Sequence, residues 1–245
     1  MILEKPRSIV IACDLGLDAF GKVLRETHAI DGVGAYQIPA VLSERHGLPI
    51  LTNLARETGK KLIYEGNLGS GRPEDAERYA DLLEYSGIDA VTLFPISGME
   101  VGKAWMKAFR ERGIGIIVRG LPTYPGYTVP EGGYVESNAW RSIYDEAVKE
   151  GITDLQIPRN RPDDITSIKE NIEALEEPEV RGVCAGKKII IDWYPTGFGK
   201  QGGKIENIRD IGERVHPVVG GLITETRDHR GAANRFIELL EAAYK

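Results

Sequence analysis

A closed (β/α)8 barrel of parallel strands is the fold class that this sequence predicts, and three observations carry the prediction. Eight short runs rich in Ile, Val and Leu recur along the chain, most without polar alternation, as strands buried on both faces of a parallel sheet read. Amphipathic helical stretches lie between them. The length, 245 residues, matches one such barrel. An open doubly wound sheet is the alternative arrangement of the same rhythm. No linker, low-complexity tract or composition shift divides the chain, so a single domain over residues 1–245 is expected.

In chain order, the first strand is expected over 9–13 and leads into Asp14. The second, 34–38, is the weakest run and carries Gln37. The third, 61–64, opens onto Tyr64-Glu65-Gly66-Asn67-Leu68-Gly69-Ser70-Gly71, whose three glycines permit positive φ or close approach of a ligand. A helix follows over 75–86, with Ala76, Tyr79, Ala80, Leu82 and Leu83 on one face. The fourth strand, 90–93, carries Thr92 and precedes a helix at 102–112; the fifth, 114–119, ends on Arg119. The segment 121–138, rich in Gly, Pro and Tyr, reads as a lid over a ligand or as a static surface loop. A helix at 140–150, capped by Ser137-Asn138, leads to a sixth strand at 154–157, with Gln156 and then Arg159 at its end. Pro162-Asp163 opens a helix at 164–175. The seventh strand is expected over 188–191, followed by Asp192 and by Trp193-Tyr194, which either stack on a base or pack on a helix. The eighth, 217–219, runs into Gly220-Gly221, and a final helix spans 232–244. Gly87, Gly113 and Gly151 stand where C′ glycines end three of the helices.

Barrels of this kind place reactive groups at the C-terminal ends of their strands. Asp14, Gln37, Glu65, Asn67, Thr92, Arg119, Gln156, Arg159, Asp192 and Gly220-Gly221 are therefore expected at one mouth. Any single strand-end acid is more often a helix cap or an ion-pair partner, here of Arg119 or Lys61; the set is the signal. A net charge of −6 and the lack of a basic tract argue against a nucleic-acid partner. Cys13 and Cys184, the only cysteines, read as reduced buried thiols of a cytoplasmic chain. There is no apolar leader and no apolar run long enough to span a membrane. His28, His46, His216 and His229 fall away from the predicted strand ends and read as surface or loop residues, so neither zinc nor histidine-based catalysis is expected.

Residues 196–203, Thr-Gly-Phe-Gly-Lys-Gln-Gly-Gly, follow the seventh strand and precede a helix expected at 205–213. Gly197, Gly199 and Gly202 match G-x-G-x-x-G, but a dinucleotide site needs more sheet beyond it than the single strand that remains. Anion binding fits better. Loops after strands seven and eight of barrels often hold phosphate through backbone N–H groups, and glycine leaves those groups bare. Gly199, Lys200, Gln201, Gly202, Gly220 and Gly221 are the candidates.

Several segments resemble the orotidine 5′-phosphate decarboxylase superfamily, its archaeal branch above all. Ile11-Ala12-Cys13-Asp14-Leu15 resembles its first strand; Pro122-Thr123-Tyr124-Pro125-Gly126 resembles the Ser-His-Pro-Gly turn that touches the pyrimidine. Residues 159–165 resemble the segment after its strand six, and 196–203 its phosphate loop, Pro-Gly-x-Gly-x-Gln-Gly-Gly. Val219-Gly220-Gly221-Leu222-Ile223, with Asp228 and Ala232-Ala233, resembles its tail. The correspondence runs the length of the chain, in order. The departures fall on the chemistry. The family's Asp-x-Lys-x-x-Asp after strand three reads here Glu65-Gly66-Asn67-Leu68-Gly69-Ser70; its strand-two lysine falls at Gln37, and its phosphate-clamping arginine at Gly221.

The resemblance implies lyase-type chemistry on a phosphorylated nucleotide or sugar, diverged from orotidylate decarboxylation because an asparagine cannot protonate carbon. General acid–base help of that kind is worth roughly 10²–10⁴ in rate. Asp14, Glu65 and Asn67 are the expected catalytic residues. Gln37, Thr123, Ser70 and Arg159 are expected to bind substrate, with Arg159 or Lys200 reaching over the phosphate in place of the missing arginine. The related hexulose-phosphate synthase and keto-gulonate-phosphate decarboxylase keep Asp-x-Lys-x-x-Asp and use magnesium; no cofactor is expected here, although Asp14, Glu65 and Asp192 form one possible Mg²⁺ set. Ribulose-phosphate epimerase has a similar phosphate loop but needs strand-end histidines. A non-catalytic phosphate-ligand sensor is the remaining alternative. The resemblance also implies a homodimer.

Overall fold

The computed structural model describes residues 1–175 and 188–245. The first strand, β1 (Ile9–Ala12), is followed by α1 (Leu17–Thr27), β2 (Val33–Pro39), α2 (Ala40–His46), α3 (Leu48–Arg56) and β3 (Lys61–Leu68). Then come α4 (Ala76–Tyr85), β4 (Ala90–Leu93), α5 (Met99–Glu111), β5 (Gly115–Arg119), α6 (Ala139–Lys149), β6 (Asp154–Pro158) and α7 (Pro162–Ala174). The chain ends with β7 (Asp192–Thr196), β8 (Val218–Val219), α8 (Gly221–Thr224) and α9 (His229–Ala242). All ladders between these strands are parallel, in the order β7-β6-β5-β4-β3-β2-β1-β8. The barrel closes through the segment before β8: Trp193 N–H donates to the Arg214 carbonyl at 3.0 Å, and His216 N–H to that of Trp193 at 2.7 Å.

Strand alternation divides the core in two. Ile9 and Ile11 of β1, Tyr36 and Ile38 of β2, and Val91 and Leu93 of β4 face the helices, where they meet Phe20, Leu24, Leu51, Trp105 and Phe109. Val10, Ala35, Ile63, Ala90, Ile117, Tyr194 and Val218 fill the barrel axis, with Leu3 beneath them. The weak run at 34–38 proves to be a full seven-residue strand. The short helices α2 and α3 escape the sequence pattern because Gly47, at φ 82°, breaks them apart after two turns.

Three expectations are corrected. The seventh strand is not 188–191 but Asp192–Thr196. Ile190 is exposed, whereas Asp192, an unlikely strand residue by propensity, is wholly buried. Arg214 Nε donates to Asp192 Oδ1 at 2.8 Å, and His216 Nε2 lies 3.0 Å from the same oxygen, so the buried charge is compensated. Trp193 and Tyr194 consequently lie inside the strand and are buried; they line no mouth. The helix expected at 205–213 is only a single 3-10 turn, Ile208–Asp210. His216 and His229 are buried rather than superficial: His216 Nδ1 lies 3.0 Å from Ser8 Oγ, and His229 Nδ1 lies 3.0 Å from the Ile223 carbonyl. Cys13 is a free, buried thiol; Cys184 lies outside the described residues. No helix among the described residues is long and apolar enough to cross a membrane.

Candidate active site

The alternation that fills the axis also builds the floor of the mouth. Two residues beyond each axial residue, the side chain again points inward. That rule places Ala12, Gln37, Glu65, Thr92, Arg119, Thr196 and Gly220 in one layer, joined by Gln156 two residues beyond Asp154 of β6. All but Thr92, which is buried and contrary to expectation does not reach the mouth, line a single cavity of about 780 Å³. Loops add Asp14, Asn67, Ser70, Phe94, Thr123, Tyr124, Gly197, Lys200, Gln201, Gly221 and Glu225.

At the centre of the floor is Glu65. Gln37 Nε2 donates to its Oε2 at 3.1 Å, and Arg119 Nη1 stands 3.4 Å from its Oε1. Burial pushes the Glu65 carboxyl above its ordinary range, against the opposing pull of Arg119; burial likewise raises Asp14. After Glu65 the strand is irregular. Its register on β4 shifts between Glu65 and Leu68, and Asn67 adopts φ 49°, left-handed for a residue other than glycine. Asn67 Oδ1 accepts a hydrogen bond from Arg119 Nη2, and the guanidinium carbon sits 4.7 Å over the Phe94 ring. Residue 67 thus presents an amide oxygen to an arginine from another strand. The sequence places Arg119 at the mouth, but only as an ion-pair partner; its contact with residue 67 crosses 52 positions of chain, and no local motif signals it.

The glycine-rich loop is arranged differently from the expectation. The Gly202 amide donates to the Gly199 carbonyl at 2.9 Å and the Gly203 amide to that of Gly197 at 2.9 Å, so Gly202 closes the turn instead of offering its N–H to a ligand. Gly199 packs against Leu222 and does not line the cavity. Lys200, Gln201, Gly220 and Gly221 do line it, but Lys200 Nζ is 2.6 Å from Glu225 Oε2. Arg159 does not reach over the mouth: its Nη2 donates to the Glu206 carbonyl at 2.6 Å, in a side cleft beside α7.

Of the segment 121–138, Pro122, Thr123 and Tyr124 line the mouth, and side chains after β6 pin the segment in place. Asn160 Nδ2 donates to the Thr123 carbonyl at 2.9 Å, and Arg161 donates to Glu131 Oε1 at 2.6 Å and to the Tyr124 carbonyl at 2.8 Å. Glu131 Oε2 in turn accepts from the amides of Tyr127 and Thr128, at 3.0 and 3.3 Å. The hydrogen bond from Arg161 holds the Glu131 carboxyl down at about 2.

The three-acid Mg²⁺ set does not form. Asp192 starts β7 and is bound to Arg214 and His216 at the end of the barrel opposite the mouth, while Asp14 and Glu65 face the cavity. Among the described residues no group of three or more His, Cys, Asp or Glu side chains is placed to hold a metal ion.

A (β/α)8 barrel with a polar, carboxylate-bearing cavity at the C-terminal ends of its strands is the architecture of barrel enzymes. The fold itself is like that of solved orotidine 5′-phosphate decarboxylases. The orotidine 5′-monophosphate decarboxylase of Methanocaldococcus jannaschii, in complex with the inhibitor BMP, superposes with a TM-score of 0.75 at 21% identity, covering 96% of this chain and 98% of that one. The orotidine 5′-phosphate decarboxylase of Pyrococcus horikoshii OT3 gives 0.73 at 21% identity, over 95% and 99%. The UMP synthase of Leishmania donovani gives 0.72 at 16% identity, over 97% of this chain and 54% of that one. No protein-family model and no curated protein matches by sequence.

Proposed function

We propose that the chain is an enzyme that binds a small phosphorylated molecule, a nucleotide or sugar phosphate, in the barrel mouth and carries out lyase-type chemistry on it. Orotidylate decarboxylation is not the reaction proposed. The observation that carries the reading is the pair of acids, Asp14 and Glu65, that face one cavity with both carboxyls raised by burial. Carboxyls raised toward neutrality serve as general acids and bases. Gln37, Asn67, Ser70 and Thr123 orient the substrate, and the phosphate sits by Gln201, Gly220 and Gly221, with Lys200 swinging to it from Glu225. The solved decarboxylases of the same fold support this choice of ligand class. Homodimerisation and a cytoplasmic location complete the proposal.

Titration calorimetry with UMP, ribulose 5-phosphate and inorganic phosphate tests it, together with assays for decarboxylation and aldol cleavage. Binding of a phosphorylated compound, with turnover that Asp14→Asn abolishes, is the expected result. Failure of every phosphorylated compound to bind at millimolar concentration would refute it. A second reading, a non-catalytic sensor, draws on one observation: Glu65 is fixed in place, with Gln37 donating to its Oε2 at 3.1 Å and Arg119 standing 3.4 Å from its Oε1. Binding without turnover in any assay favours it.

A further inference from the structure

Helices α5 and α6 and the 121–138 segment enclose a groove of about 330 Å³, apart from the mouth. Helical spacing builds two of its walls. Met99, Lys103 and Met106 lie on one face of α5, and Ser142, Ile143 and Glu146 on one face of α6, with Glu150 a turn further on. Tyr127 and Val135 form the third wall; the Tyr127 hydroxyl is bound to the Gly120 carbonyl at 3.1 Å, so it offers the groove ring surface alone. Tyr134 stands fully exposed at the rim. The lining is thus mostly apolar, and methionine moulds itself to varied apolar shapes. Charge is gathered at one place. Lys103 Nζ stands 3.5 Å from Glu146 Oε2 and 3.6 Å from Glu150 Oε1, both longer than the roughly 2.7–2.9 Å of a charge-assisted hydrogen bond. Two carboxylates therefore share one loosely held ammonium. Lys149, 3.9 Å from Glu146 Oε1, and Arg110, bound to the Glu150 carbonyl, do not line the groove.

We propose that this groove is a second ligand site, and that it takes a small molecule with an apolar or aromatic body and a single ammonium group. Its volume falls at the small end of ligand pockets, which run from about 300 to 1,000 Å³, so the occupant is small. The body displaces water from Met99, Met106, Tyr127 and Ile143, the favourable step in binding an apolar group. Two acids and one lysine line the groove, so a monocation balances the charge, whereas an anion meets two carboxylates. The Glu150 side chain, 35% exposed and with Lys103 no nearer than 3.6 Å, is open to the ligand's ammonium. The site does not depend on the reading of the mouth: Ile96 lines both cavities, but Asp14 and Glu65 line the mouth and not the groove. Tyr127 stacks on Phe94 of the mouth, ring centroids 5.9 Å apart, so an occupant packs on the wall between the two.

The chain has three methionines, and two of them line the groove, so NMR of ¹³C-methyl methionine reads its occupancy directly. Met1, 81% exposed beside Asp154 at the base of the barrel, is the internal control. Three probes share one body and differ in charge: 4-phenylbutylamine, 4-phenylbutanol and 4-phenylbutyrate. The amine is expected to shift Met99 and Met106 saturably while Met1 stays still, and to bind about 10-fold more tightly than the alcohol, with the acid weakest. Replacing Glu146 and Glu150 together by Gln is expected to erase the preference for the amine over the alcohol. Ser142→Trp fills the groove from an exposed helix position and is expected to abolish the shifts. Asp14→Asn, at the mouth, is expected to leave them unchanged. No shift of Met99 or Met106 with any probe at millimolar concentration overturns the inference, and so does equal affinity for amine and acid. Shifts that survive Ser142→Trp, or that vanish in Asp14→Asn, put the probe elsewhere and overturn it as well. Shifts that appear without a probe as protein concentration rises, alongside a dimer in ultracentrifugation that Ser142→Trp disrupts, make the groove an interface between copies and count against it.

Discussion

Arg119 at the end of β5 reaches across β4 to stand 3.4 Å from Glu65 on β3, and the same guanidinium binds the side chain of Asn67. This contact lies on the floor of the mouth, and several measurable consequences come from it and from the scaffold around it.

Asn67 is both a partner of Arg119 and a left-handed residue. Asn67→Gly is expected to lose only the side-chain contact. Asn67→Ala loses the contact and also bears a left-handed penalty of about 1 kcal/mol. Urea unfolding of the two variants measures the difference, and equal stabilities would show that φ at this position relaxes freely.

The raised carboxyls of Asp14 and Glu65 set a sign for the pH dependence of stability. Between the ordinary carboxylate pKa and the raised value in the fold, the folded protein keeps a proton that the unfolded chain has released. Unfolding free energy therefore falls as pH rises through that window. Asp14→Asn and Glu65→Gln are each expected to flatten this fall in denaturation curves taken from pH 4 to 7. A slope steeper than in the wild type would contradict the assignment.

Glu131 behaves in the opposite sense. Its carboxyl is held at about 2 by Arg161, so the anchoring of the 121–138 segment is complete above the usual glutamate pKa of about 4.5 and is lost as pH falls toward 2. Glu131→Gln weakens the acceptor of the Tyr127 and Thr128 amides at neutral pH. Hydrogen exchange at those two amides is expected to quicken about 10-fold, the equivalent of about 1.4 kcal/mol, with little change in the barrel strands.

Asp192 belongs to the base of the barrel. Asp192→Asn leaves Arg214 and His216 without their shared carboxylate, and breaking a buried pair of this kind costs about 3–5 kcal/mol. Thermal melting should drop sharply, whereas ligand affinity at the mouth should be unaltered at a temperature where the variant is folded. A selective loss of affinity without a stability change would place Asp192 at the site after all.

At the rim, Glu225 competes with any anion for Lys200. Glu225→Gln is expected to tighten phosphate binding severalfold and to make it more sensitive to salt than in the wild type, where salt also weakens the competing pair. Calorimetry at two ionic strengths provides the check; an unchanged affinity would remove Lys200 from the phosphate site.

What the sequence by itself determined is the barrel and the identity of most of its floor. Parallel strands buried on both faces announce themselves as apolar runs, and a period of two then dictates that Gln37 follows Ala35 inward, that Glu65 follows Ile63, and that Arg119 follows Ile117. The strand containing Asp192 was hidden because its buried charge is tolerated only through Arg214 and His216, which arrive from more than twenty residues away. Only the tertiary structure decided where the long charged side chains go. Arg119 turns toward Asn67, Arg159 turns away to Glu206, and Lys200 turns to Glu225. A strand's pleat sets the direction of Cβ, but the end of an arginine or lysine lies several rotatable bonds further out, and its partner is chosen by whichever acceptor the folded chain brings within reach.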